Sequence, residues 1–217
     1  MAEKFKLNWS FSNSKLKKLD TVSFNLPAFR SADGFHVCPK AGGCATVCYA
    51  RQGFYVMPGV AKVREENLAL IRKSLNAFVG AAVSDLKKIR QPIIRIHDSG
   101  DFFSQAYLDA WIKVMEVFPD KKFYAYTKSL HLDWSKTPSN FQRIQSAGGL
   151  MDKEMDLSLS HSRIFASDSD RIQAGYVDGN LNDQPAIDGV QKIGLVYHGS
   201  KKLKVGQVRW LKESKHV

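Results

Sequence analysis

Nowhere in the 217 residues does an apolar run approach the roughly 20 positions that a membrane span needs. The opening stretch, MAEKFKLNWSFSNSK, contains no apolar h-region, so no secretory leader is expected. Internal repeats and low-complexity linkers are absent, and the composition excludes a collagen-like chain, a coiled coil and wholesale disorder. Cysteine is scarce. There are three, an odd number, which argues against a disulfide framework. These absences set the expectation of a soluble, cytoplasmic protein with no membrane partner.

What is present reads as one domain over 1–217. Hydrophobic residues make 44% and charged residues 24%, ordinary for a globular chain. A chain of this size can bury roughly 70% of its unfolded surface without staples. The net charge of +11 is uneven. Residues 1–30 carry six Lys/Arg against two acids, and residues 191–217 carry seven against one. The 160 residues between are close to neutral, at +1. The basic terminal segments, 1–20 and 201–217, therefore suit a phosphate-bearing partner such as nucleic acid, or else a solubilising surface.

Alternation over 22–26 predicts a strand, closed by Pro27. Apolar spacing predicts helices over 60–74 and 75–89, then a buried strand at 93–96. Ser104 is a natural N-cap for a helix whose Leu108, Trp111, Met115 and Phe118 share a face. Strands follow at 123–127, 156–160, 164–165 and 193–197, with a helix over 139–147 and a long loop over 167–190. Residues 1–20 are expected to be irregular with short ordered pieces. Strand alternating with helix implies parallel β/α units. The fold class expected is α/β: a compact or partial (β/α) barrel with a cysteine-bearing loop after the first strand. An open parallel sheet is the alternative.

All three cysteines lie in the Gly- and Pro-containing loop 30–53, as Cys38, Cys44 and Cys48, spaced C-x5-C-x3-C. Clustered cytosolic cysteines are more often metal ligands or redox groups than packing residues. Three thiolates can hold three irons of a [4Fe–4S] cluster and leave the fourth open. The alternatives are a three-iron cluster, zinc with a histidine as fourth ligand, or no metal. Structural zinc favours paired C-x2-C or C-x4-C units, which are missing here.

Two further segments carry chemistry directly after predicted strands, where parallel α/β proteins meet their ligands. One is Arg95 to Ser104, with His97, Asp98, Ser99 and Asp101 around Gly100. The other is Tyr126-Thr127-Lys128-Ser129, where Lys128 can neutralise a substrate anion. The bland reading makes Asp101 a helix cap, His97 a core histidine and Lys128 a solvated cation. A weaker place is Ser158, Ser160 and His161, while His131, His198 and His216 stand alone.

Taken in order, CPKAGGCATVCYAR, RIHDSGDFFS and FYAYTKS make the chain resemble the phage gene product 88 family over roughly residues 22–200. The resemblance implies a cysteine-bound iron–sulfur centre in a compact α/β fold distantly like radical-SAM proteins. It rests on Cys38, Cys44, Cys48, His97, Ser99, Gly100, Asp101, Thr127 and Lys128. This chain departs from the family in having no cysteine after Cys48 and a Lys-rich tail. It departs from the radical-SAM spacing, C-x3-C-x2-C, and its Tyr49 follows the last cysteine.

Three functions are consistent with these features. The first is an enzyme whose open iron acts as a Lewis acid in hydrolytic or lyase-type chemistry on a small-molecule or nucleotide-derived substrate. Asp101, Lys128, His97 and Ser99 would then transfer protons and position substrate. The second is a radical-SAM-like enzyme with S-adenosylmethionine as a further cofactor. The third is a nucleic-acid-binding phage protein in the host cytoplasm, with a structural or redox cluster.

Overall fold

The computed structural model describes residues 6–197, so the expectations for the basic segment 201–217 lie outside the described residues. Among the described residues eight strands make one sheet: β1 (Trp9–Ser10), β2 (Thr21–Phe24), β3 (Ile93–Ile96), β4 (Lys122–Thr127), β5 (Phe141–Ser146), β6 (His161–Phe165), β7 (Val177–Asp178) and β8 (Lys192–Val196). Their order is β1-β2-β3-β4-β5-β6-β8-β7. β1 runs antiparallel to β2, and every other pairing is parallel.

Strand period 2 sorts the side chains. Val22 and Phe24, Ile94 and Ile96, and Phe123 and Ala125 face a layer made of α3 (Pro58–Lys73), α4 (Leu75–Leu86) and α5 (Gln105–Val117). These helices begin where the sequence allows. Pro58 opens α3 without wasting a donor, Ser74 caps α4 through Ala77 N–H, and Ser104 caps α5 through Tyr107 N–H at 3.3 Å. Trp111 stands at the centre of this core, its ring edge-on to Phe24 at 5.4 Å and to Phe78 at 5.2 Å. Such pairs add about 0.5–1.5 kcal/mol each beyond area burial.

The opposite face is thinner. Tyr124, Ile144 and Ile193 pack there against Ala186 and Ile187 of α7 (Gln184–Ile187). This explains why the expected barrel does not form. The face that would become the barrel interior is filled by α7, which lies on β4 and β5, and the edge strands β1 and β7 do not meet. The sheet is open, as the alternative reading has it.

Other expectations are corrected locally. Residues 139–147 contain strand β5, not a helix, because β4 and β6 bracket it with parallel pairings. Residues 156–160 form a turn, not a strand: Asp156 Oδ1 accepts the Ser158 N–H at 2.9 Å and its hydroxyl at 2.6 Å. The stretch 167–190 holds α6 (Asp168–Gln173), β7 and α7. The N-terminal segment carries β1 and a single turn, α1 (Ser14–Lys17). No helix among the described residues is long and apolar enough to cross a membrane.

Candidate functional site

The chain leaves β2 at Phe24 and crosses the C-terminal edge of the sheet before entering α3. The crossing is tied down at each strand end. Leu26 N–H donates to Ser99 O at 3.0 Å, Cys44 N–H to Gly148 O at 2.9 Å, and Leu150 N–H to Lys40 O at 3.0 Å. The Tyr49 hydroxyl donates to the Asp98 carbonyl. Gly42 makes the closest approach. Its φ is +53°, and a Cβ there would lie 2.8 Å from the Gly149 carbonyl carbon, so only glycine fits.

This crossing carries Cys38, then Cys44 at the start of the one-turn helix α2 (Cys44–Val47), then Cys48. All three are free thiols of intermediate exposure. Burial pushes the Cys38 thiol up, and the Asp101 carboxylate adds to that. The Phe29 N–H, 3.3 Å from the Cys38 sulfur, works the other way, while Cys48 and Cys44 reinforce the rise. Cys48 is likewise raised by burial first and then by Cys44, with Lys128 and Arg51 among the groups opposing. The three sulfurs therefore stand in one another's field, with cations beside them. Among the described residues no three His, Cys, Asp or Glu side chains converge to hold a single metal ion.

The structure brings Asp101 and Lys128 to this place and sets His97 and Ser99 behind it. Asp101 is buried, and its carboxylate accepts the Thr127 hydroxyl at 2.6 Å, the Lys128 N–H at 2.9 Å and its neighbour Phe102 N–H at 2.7 Å. Burial holds its pKa above the usual carboxylate range despite these bonds. Lys128 Nζ donates to Ser146 Oγ at 2.6 Å, Ser146 O at 3.1 Å and Ala147 O at 3.0 Å. The ammonium is thus fully engaged with the end of β5. Ser99 Oγ donates to Leu26 O at 2.7 Å. His97 lies 2.9 Å from the Tyr107 hydroxyl through Nε2, and burial together with the Arg95 charge lowers its pKa to about 3. It is neutral at physiological pH. His161 is occupied by Leu159 O and the Tyr176 hydroxyl.

Sequence reasoning missed a second group of charges. Arg95 projects from β3 on the α7 side, where its Nη1 donates to Asp183 Oδ2 at 2.6 Å and its guanidinium lies 5.3 Å from the Tyr126 ring centroid. Tyr124 donates to the same Asp183 oxygen at 2.7 Å. Asp98 takes the Tyr55 hydroxyl at 3.4 Å and faces Arg64 of α3. Asp98 was already named among the strand-end residues; the signal for its partners was Arg95, a charge inside the apolar run Ile93-Ile94-Arg95-Ile96.

A family model described as Gene product 88 matches residues 4–205. The chain belongs to the Gene product 88 family. The Gene 88 proteins of Mycobacterium phage D29 and Mycobacterium phage L5 are each 38% identical to it over 116 residues. That stretch covers 49% of this chain and 47% of each relative, so the chain spans about half the length of the curated relatives it matches. No solved structure gives a significant match. The matched family range takes in all three cysteines, Asp101 and Lys128.

Proposed function

We propose that Cys38, Cys44 and Cys48 hold a [4Fe–4S] cluster with one iron free of cysteine, and that the protein is an enzyme acting at the C-terminal edge of its sheet. The observation that carries this reading is that all three cysteines fall within eleven residues on the one loop that crosses the ends of the parallel strands. Lys128 and Arg51 oppose the rise in the Cys48 pKa. Burial disfavours a free thiolate at Cys38 and Cys48, and a bound cationic centre offsets that cost.

When bound, such a cluster supplies a Lewis-acidic iron suited to hydrolytic or lyase-type chemistry. The chain's own residues do the rest. Lys128, anchored on Ser146 and Ala147, keeps a fixed positive charge near Cys48 and Asp101. Asp101 locks the turn after β3 to the end of β4 and so fixes the floor under Cys38. The Phe29 N–H donates to the Cys38 sulfur, a bond of the type that tunes cluster potential. Neutral His97 takes no part as an acid.

Protein purified without oxygen is expected to be brown, with broad absorption near ~400 nm and roughly four irons and four sulfides per chain. Cys38→Ser, Cys44→Ser and Cys48→Ser should each abolish the colour. Stoichiometric zinc without sulfide would overturn the reading. Formation of 5′-deoxyadenosine from S-adenosylmethionine under reduction would convert it to the radical-SAM-like form.

A further inference from the structure

The edge of the sheet opposite the cysteine loop collects positive charge. β2, β3 and β4 start level, with Thr21 opposite Ile93 and Ile93 opposite Lys122. The segments that lead into them are therefore neighbours: 17–20 before β2, 87–92 before β3 and 118–122 at the start of β4. Lys121 ties them together. Its Nζ donates to Ile89 O and to Gln91 O, each at 2.8 Å, and the Asp20 charge acts on it from the first segment. From the start of β5, Asn140 Nδ2 donates to Phe118 O at 2.9 Å and to Lys121 O at 3.1 Å. The edge is a braced platform.

Lys17, Lys18, Lys87, Lys88, Arg90 and Lys122 stand exposed on it. None of these six side chains has a hydrogen bond or an ion pair among the described residues. Several exposed cations elsewhere are engaged: Lys62 faces Glu66 at 3.9 Å, Arg72 bonds Asp33 at 2.5 Å, and Arg51 donates to Ala45 O at 2.6 Å. The three segments carry only two acids, Asp20 and Asp120, and the Asp20 charge is met by Lys121.

This concentration is hidden in the sequence, because Lys87 to Lys122 belong to a middle section that is near neutral as a whole. The negative end of α4 favours cations at Lys87 and Lys88. It does not account for Lys122, which stands on a strand, or for Arg90, past the helix. Unpaired like charges held this close repel one another, and a polyanion relieves that repulsion. Three adjacent strands span about 10 Å, between the ~6 Å and ~12 Å widths of the grooves of B-DNA. No exposed aromatic ring lies in the three segments, so unpaired bases find no stacking platform there.

We propose that this edge binds double-stranded DNA through its phosphate backbone, without reading the bases. Duplex RNA is recognised through its 2′-hydroxyls as well as its phosphates. Six cations on a blunt edge make the phosphate contacts alone. The inference goes beyond the cysteine reading and does not rest on it, because the cysteines lie at the other end of the strands.

Fluorescence anisotropy of the full chain with a labelled DNA duplex of ~20 base pairs, titrated from ~50 to ~200 mM salt, tests it. The duplex should bind, with affinity falling steeply as salt rises. The triple variant K87Q/K88Q/R90Q should bind roughly tenfold more weakly or worse at ~50 mM salt, with a log–log salt slope shallower by about 2–3. K17Q/K18Q/K122Q draws on the other two segments and should behave alike, so poor folding of one triple leaves the other to decide. K62Q/K113Q/K153Q removes the same charge from exposed positions off this edge and should change affinity by less than about threefold. The proposal falls if that control weakens binding as much as the edge triples. It also falls if single-stranded DNA or an RNA duplex of the same sequence binds more tightly than the DNA duplex. Binding of phosphatidylserine vesicles but not of the duplex, or no duplex binding at ~10 μM protein and ~50 mM salt, would overturn it too. None of these outcomes depends on the colour of the protein.

Discussion

Asp101 accepts the Thr127 hydroxyl at 2.6 Å, which joins the turn after β3 to the last residue of β4. Its second oxygen takes the Lys128 N–H at 2.9 Å, and the Lys128 ammonium passes the connection to Ser146 at the end of β5. One carboxylate therefore aligns three strand ends beneath the cysteine loop. Asp101→Asn keeps one acceptor but turns an NH2 group toward a backbone N–H, so a donor faces a donor. The variant is expected to lose about 2–3 kcal/mol of stability. Urea denaturation measures this, and an unchanged midpoint would confine Asp101 to chemistry.

His97 makes a pH prediction. An unfolded histidine titrates near 6.5, and the folded one near about 3. Between those values the unfolded chain binds the extra proton. The stability linked to His97 is therefore complete above about pH 6.5 and is lost as pH falls toward 3, by up to ~1.4 kcal/mol per pH unit. Asp98 and Asp101 oppose this, since burial raises their folded pKa values and protonation in acid then favours the folded state. His97 has φ +68°, which asparagine tolerates well. His97→Asn should flatten the dependence of stability on pH between about 6.5 and 4. Identical slopes for variant and parent would refute the assignment.

The helical layer and the first parallel strands were legible: alternation marks β2, a short apolar run marks β3, helical spacing marks α3 and α4, and Ser104 marks the start of α5. β5 was not. Phe141 and Ile144 fall at a helical spacing, yet pairing with β4 along five residues overrides that local signal. Asp156 to Ser160 alternates like a strand because an Asp turn happens to place polar residues two apart. At the candidate site, the cysteines and the strand-end residues were legible as a set. The ion pairs were not, since Asp183 lies 88 positions from Arg95 and only the fold brings them together.

Gly42 tests whether the seating of the loop governs the cysteines. At φ +53° and with Gly149 backbone 2.8 Å from any Cβ, alanine cannot be accommodated without displacing the loop from the end of β5. Gly42→Ala should cost about 1–3 kcal/mol and lower the metal content of anaerobically purified protein. Gly34 supplies the control in the same crossing. Its φ is +85°, but a Cβ there meets nothing within 4 Å. Gly34→Ala carries the backbone strain alone. Equal metal loss in both variants would mean that strain, not contact with Gly149, is responsible.

The Arg95–Asp183 pair allows a double-mutant test of why a charge sits inside β3. Its side chains are 13% and 9% exposed, and Nη1 to Oδ2 is 2.6 Å. Arg95→Met leaves the Asp183 carboxylate in the interior with the Tyr124 hydroxyl as its remaining side-chain donor at Oδ2, at 2.7 Å. Removing one member of such a pair typically costs about 3–5 kcal/mol, most of it the cost of the stranded charge. Asp183→Asn strands the guanidinium in turn. In the double variant neither charge remains, and the introduced amide can still accept from Tyr124, so much of the loss should return. The coupling energy is expected at about 1–3 kcal/mol. Purely additive losses in chemical denaturation would show that Arg95 and Asp183 act independently and that Arg95 is kept for a different partner.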